Sequence, residues 1–126
     1  MLGYLFINGL IFLIVGLRAL LKPTEAVAIP YSLEGHHVDA KNYLRSAAGG
    51  VTIACALVQL AAPFYQPLQL PALVLVVTVL GGLVAGRLFS MIVDGVPGLV
   101  PLISGSLELV GFVLGVYWLH DLGGLI

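Results

Sequence analysis

The chain has 126 residues, of which 60% are hydrophobic and only 9% charged, with a net charge of -1 and a mean hydropathy of +1.14. Soluble domains carry roughly 25% charged residues, so this supply cannot cover a water-facing surface, and the lack of a basic excess excludes a nucleic-acid-binding face. A single cysteine, Cys55, excludes an intrachain disulfide and a four-cysteine zinc site, and within an apolar run it reads as a small packing hydrophobe.

A helical membrane span needs about 20 apolar residues, and four such stretches occur. The first covers residues 2–21 and is closed by Lys22-Pro23. No Lys or Arg precedes its apolar core, and its first cation, Arg18, lies near the far end. It is therefore expected to be a retained span rather than a cleaved signal peptide. The loop "KPTEAVAIPYSLEGHHVDAK" follows, the only hydrophilic stretch of any size. Its Glu34, His36, His37 and Asp39 are metal-capable types, but adjacent histidines diverge in regular structure and no H-E-x-x-H spacing is present. A solvated loop without metal is the expectation. The second span, residues 42–62, ends at "PFYQPLQLP", whose Pro63, Pro67 and Pro71 forbid one continuous helix.

The third span, residues 70–93, stops at Asp94-Gly95, and the fourth, residues 99–120, tolerates Pro101 in its first turn. No histidine lies inside a span, which argues against a buried haem, and no cofactor is expected. His120 at the end of the last span reads as an interfacial residue. The predicted fold is all-α, one integral membrane four-helix bundle over residues 1–126, with the lipid bilayer as its surroundings. Arg18, Lys22, Lys41 and Arg45 surround the first loop, whereas residues 63–69 carry no cation. Basic residues favour the cytoplasmic side. The expected location is the bacterial inner membrane, with the first loop inside and both termini periplasmic.

Polar residues fall on helical faces. Residues i, i+3 and i+7 share a face, which groups Arg87 with Ser90 and Asp94. Asn42, Arg45, Gly49, Thr52 and Gln59 form a stripe on the second span; Ser104, Glu108, Gly111 and Gly115 form one on the fourth. The first span offers only Asn8. A charged side chain at a helix centre costs roughly 2.5–3.5 kcal/mol on insertion scales, so Arg87 and Glu108 are not expected to face lipid singly. Glu108 lies about 13 Å into its helix and Arg87 about 9–10 Å from the same membrane face, at 1.5 Å per residue. An arginine side chain spans that offset. Arg87 is therefore expected to pair with Glu108, with Ser90 and Asn42 supplying hydrogen bonds nearby, while Arg45 snorkels to the interface. Asp94 is expected to secure the turn into the fourth helix, whose N-terminus favours an anion. Gly82-x-x-x-Gly86 and Gly111-x-x-x-Gly115 permit close helix approach, and packing within the bundle is the preferred reading for both.

The pattern G-R-x-x-S-x-x-x-D-G-x-P, carried here by Gly86, Arg87, Ser90, Asp94, Gly95 and Pro97, resembles the hallmark of a family of small, uncharacterised bacterial four-helix membrane proteins, a domain of unknown function. Arg45 with Gly49 and Gly50, and the acid Glu108 in the last helix, are similar to further features of that family. Its members often have an acid shortly before the second-helix arginine, where this chain has Tyr43. More loosely, the architecture resembles DoxX-type membrane proteins, some of which are subunits of larger redox systems. The resemblance implies a fold and a polar cluster, and no reaction.

The function expected from these readings is a non-enzymatic membrane module. It would be an accessory subunit, or a binder of a lipid, quinone or similar amphipathic molecule, with Asn42, Arg45, Arg87, Ser90, Asp94 and Glu108 as the polar cluster. It would act within a larger membrane complex or as a homodimer. The alternative is a small oligomeric proton-coupled transporter using Glu108, since intramembrane acids are often transport sites. An intramembrane isomerase using Glu108 or Asp94 ranks below both, because no His, Cys or Tyr accompanies either acid on its own face.

Overall fold

The computed structural model describes residues 1–123, and among these it contains helices and turns but no strand. Four helical stretches are long and apolar enough to cross a membrane: Leu2–Leu21, Val38–Phe64, Gln66–Asp94 and Leu99–Leu122. They are called the first to fourth spans below. The chain is a multi-pass, all-α membrane bundle. The second span starts at Val38 rather than at residue 42 because the His37 side chain caps it, its Nδ1 accepting the Asp39 N–H at 3.1 Å. That bond satisfies one of the donors that a helix start leaves open.

The breaks follow the backbone chemistry. Pro63 and Pro67 each open a short, tight 3-10 turn, Ala62–Phe64 and Gln66–Leu68, on either side of an extended Tyr65. Between the third and fourth spans, Gly95 adopts φ 98°, a conformation that side chains with a Cβ rarely hold. Its N–H still donates to the Met91 carbonyl at 3.2 Å, closing the third helix.

Glycines set how closely the spans approach. The first and second spans pack with Gly16 against Ile53, Gly9 against Leu60 and Gly49 against Leu20. A Cβ at Gly16 would lie 2.8 Å from Ile53 Cγ1. The second span widens into a π-type turn over Arg45–Gly50, where Gly49 meets the end of the first helix. One polar pair crosses this interface: Asn8 donates to Gln59 Oε1 at 2.7 Å, and the fully buried Gln59 donates to the Cys55 carbonyl at 3.2 Å. Lipid cannot supply these bonds, so the helices supply them to each other.

The third and fourth spans pack through Gly111 against Leu80 and Gly115 against Val77. Tyr4 of the first span reaches across to donate to the Gly111 carbonyl at 2.7 Å. Gly82 and Gly86 correct the expectation made for them. Both are exposed, and nothing lies within 4 Å of a Cβ built at either. They sit on the outward face of the third helix, because Arg87 and Val84 take the inward one.

The core is concentrated at one end. Leu5, Ala62, Ala72, Leu73, Val76, Val77, Leu80 and Leu119 form a buried cluster where the first span starts and the third begins. At the other end, every residue from Leu88 to Val100 except Met91 is exposed. The helices there are not sealed against one another.

Candidate functional site

The loop between the first two spans delivers one side of the site. It is not simply solvated, as its composition suggested. Thr24–Ala28 forms a wide helical turn, the Thr24 hydroxyl donates to the Gly35 carbonyl at 3.0 Å, and Ala28 is fully buried beside Gly35. The folded loop carries Tyr31 across to the third and fourth spans. The Tyr31 hydroxyl is 2.6 Å from Ser104 Oγ, and the Arg87 guanidinium carbon lies 6.0 Å from the centre of its ring, within cation–π range.

Arg87 meets Glu108 in a two-point contact. Nε donates to Oε2 at 2.5 Å and Nη2 donates to Oε1 at 2.9 Å. The side chains are 28% and 16% exposed, respectively. Such parallel charge-assisted bonds are among the stronger polar contacts available to a protein. The offset in depth between the two residues is bridged by the length of the arginine side chain. A Cβ at Gly105 would lie 3.0 Å from Arg87 Cδ, so this glycine makes room for the arginine stem beside the fourth helix.

The other polar residues are placed differently from the expectation. Ser90 Oγ donates to Asp94 Oδ2 at 3.2 Å, one turn along the same helix, and is not bonded to the ion pair. Asp94 therefore takes its bond from the third helix and makes no hydrogen bond to the fourth among the described residues. Arg45 donates through Nη1 to the Leu20 carbonyl, where it satisfies the end of the first helix instead of reaching for an acid. Asn42 is exposed and makes no side-chain hydrogen bond among the described residues. The physical reason is common to both: the second span packs chiefly on the first, and neither residue hydrogen-bonds the ion pair among the described residues. Tyr31, Ser104, Asn8 with Gln59, and Tyr4 were not singled out as partners. The stripes had already placed Ser104, Gln59 and Asn8 on inward faces; nothing local to "IPYSLEG" marks Tyr31.

Two clefts flank the pair. One, about 440 Å³, lies between the third and fourth spans under their connection. Its walls are mainly apolar, including Leu88, Met91 and Leu102, and its polar groups are Tyr31, Arg87, Ser90 and Ser106. The second, about 370 Å³, lies between the first and fourth spans and is bordered by Tyr4, Asn8, Glu108 and Trp118. Arg87 borders the first cleft and Glu108 the second, so the ion pair forms part of the wall between them. Among the described residues, no three His, Cys, Asp or Glu side chains converge as metal ligands. His37 Nδ1, which accepts the Asp39 N–H, lies 3.7 Å from the Asp39 carboxylate.

An arginine at the inner end of an apolar, open-sided cleft can hydrogen-bond the head of an amphipathic molecule while the walls take its hydrocarbon. The cleft's hydroxyls are engaged within the protein: Ser90 with the Asp94 carboxylate, Tyr31 with Ser104, and Ser106 with the Leu102 carbonyl. Comparison with known proteins assigns the chain at family level. The profile of the family described as Domain of unknown function (DUF4345) matches residues 1–119, and the chain belongs to that family. No curated protein and no solved structure matches it.

Proposed function

We propose that this DUF4345 protein is a non-enzymatic membrane module that holds an amphipathic molecule, a lipid or quinone-like compound, in the cleft floored by Arg87. It does so alone or as an accessory subunit of a larger membrane complex. The observation that carries this reading is the cleft itself, about 440 Å³ of mainly apolar lining that includes the arginine of an ion pair. Its size falls within the usual range of small-molecule sites, about 300–1,000 Å³. The G-R-x-x-S-x-x-x-D-G-x-P pattern fits this site, since Arg87 and Ser90 line the cleft and Gly95 turns the chain at its rim.

The same geometry weighs against proton-coupled transport. Protonating Glu108 would forfeit the charge that holds two arginine hydrogen bonds, leaving Arg87 unbalanced. The basic first loop favours a cytoplasmic position for the cleft, in the bacterial inner membrane, with the chain's start in the periplasm.

The test uses the whole protein purified in a mild detergent, with extracted amphiphiles identified by mass spectrometry. Ser106 lines the cleft and is exposed, so Ser106→Phe should fill the space without removing the ion pair. The wild type should carry one amphiphile enriched at least several-fold over the variant. Identical extracts from the two proteins would sink the reading.

A further inference from the structure

The charge arrangement around the cleft specifies the chemistry of its occupant. Arg87 is the one charged side chain among the described residues that line it. Its charge is already balanced, because the Glu108 carboxylate takes Nε and Nη2 from behind. Nη1 stands outside that two-point contact, and Tyr31 lies against the same guanidinium. The nearest further charge tied to the lining is Asp94, whose carboxylate accepts from the lining residue Ser90. Arg45, another arginine toward this membrane face, is occupied at the Leu20 carbonyl. The site thus presents hydrogen-bond donors within a group of one positive and two negative charges.

We infer that the cleft selects an uncharged head group bearing acceptor oxygens, a carbonyl of the quinone or acylglycerol type, and discriminates against phosphate-bearing lipids. The inference rests on the reading of the cleft as an amphiphile site. A neutral carbonyl accepts from Arg87 Nη1, which lies outside the two-point contact, without disturbing the ion pair. A phosphate would have to compete with Glu108 for the guanidinium while standing near Asp94. Like charges repel most strongly where little water screens them, at Glu108, and less at the exposed Asp94. An unbalanced arginine would have the opposite preference, since a lone guanidinium is well suited to phosphate. Glu108 therefore acts as the residue that sets specificity from outside the cleft, by cancelling the charge of the arginine that lines it.

The experiment titrates three short-chain probes into the whole protein in neutral maltoside micelles: decylubiquinone, dioctanoylglycerol and dioctanoyl phosphatidic acid. Binding is followed by calorimetry, with Ser106→Phe as the control for location. The wild type should bind at least one neutral probe about ten-fold more tightly than phosphatidic acid, equivalent to about 1.4 kcal/mol. Which neutral probe binds distinguishes a quinone from an acylglycerol source. Glu108→Gln should reverse the preference towards phosphatidic acid. Because that variant strands an arginine, Asp94→Asn, exposed at the helix end, provides a milder change in the same direction and should narrow the ratio severalfold. Wild-type preference for phosphatidic acid, abolished by Ser106→Phe, would overturn the inference and leave the amphiphile site standing. A ratio unchanged in Asp94→Asn and in folded Glu108→Gln would overturn it also. Absence of binding by all three probes, or binding indifferent to Ser106→Phe, would defeat the amphiphile site and the inference together.

Discussion

Glu108→Gln and Arg87→Met remove opposite halves of one contact, and the structure makes their effects unequal. A carboxylate left without its partner can discharge itself by taking up a proton, whereas a guanidinium stays charged in a protein. Glu108→Gln is therefore the more damaging change. A stranded charge at mid-span costs roughly 2.5–3.5 kcal/mol on insertion scales. Arg87 retains 28% exposure through the open cleft, which lets its head reach polar surroundings and brings the cost for Glu108→Gln to about 2–3 kcal/mol. Arg87→Met strands only the group that can neutralise itself, and should cost about 1–2 kcal/mol by the same reasoning. The double variant leaves no charge and packs a methionine between the helices, so it should lie within about 1 kcal/mol of wild type.

The assay is reversible unfolding in mixed dodecyl sulfate and maltoside micelles, followed by far-ultraviolet circular dichroism. The coupling energy should be at least about 2 kcal/mol, well beyond the 0.3–0.5 kcal/mol scatter expected of independent sites. Additive effects would show that the two residues do not support one another. Equal costs for the two single variants would refute the argument from discharge, even with the coupling intact.

Glycine replacements separate packing from mere occurrence of the small-residue spacing. Gly16→Ala, whose Cβ would lie 2.8 Å from Ile53 Cγ1, should cost about 1–3 kcal/mol, while Gly82→Ala, with open space around it, should stay within about 0.5 kcal/mol in the same unfolding assay. Gln59→Leu leaves the Asn8 amide without its 2.7 Å acceptor and should destabilise by about 0.6–2 kcal/mol, since bonds between membrane helices are worth less than their burial suggests; stability equal to wild type would show that Asn8 finds another partner. For orientation, single cysteines at Ser32 and Gln66 in a Cys55→Ser background should give labelling by a membrane-impermeant maleimide in intact cells only at Gln66, and the reverse pattern would place the basic loop outside.

Hydrophobicity and breakers made the four spans legible: Pro63 and Pro67 sit at the tight turns, and Gly95 at the positive φ that ends the third span. Depth counting made the Arg87–Glu108 contact legible, because both residues lie at fixed numbers of 1.5 Å steps from the same membrane face. Face and depth do not specify rotation about the helix axis relative to a neighbour. Gly82-x-x-x-Gly86 and Gly111-x-x-x-Gly115 carry the same spacing, yet the first points outward and the second meets Leu80, Val77 and Tyr4. Asn42 and Arg45 shared a stripe with Gln59, but only Gln59 found a side-chain partner on another span. A stripe says which residues turn inward together, and the partner helix decides what they meet.

Tyr31 shows why the remainder of the site depends on tertiary structure. Its residue type and its neighbours in sequence suggest only a loop aromatic. Its position follows from two contacts elsewhere, the Thr24 bond to Gly35 and the burial of Ala28, which fold the loop so that the tyrosine reaches Ser104, 73 residues away. The ring then lies against the guanidinium that Glu108 holds from the other side. Charge balance from the fourth helix and an aromatic cover from the first loop thus converge on one arginine of the third helix. The chemistry offered to a ligand is set by that convergence: an arginine alone would invite a phosphate, and this arginine, already paired, presents N–H donors without net charge.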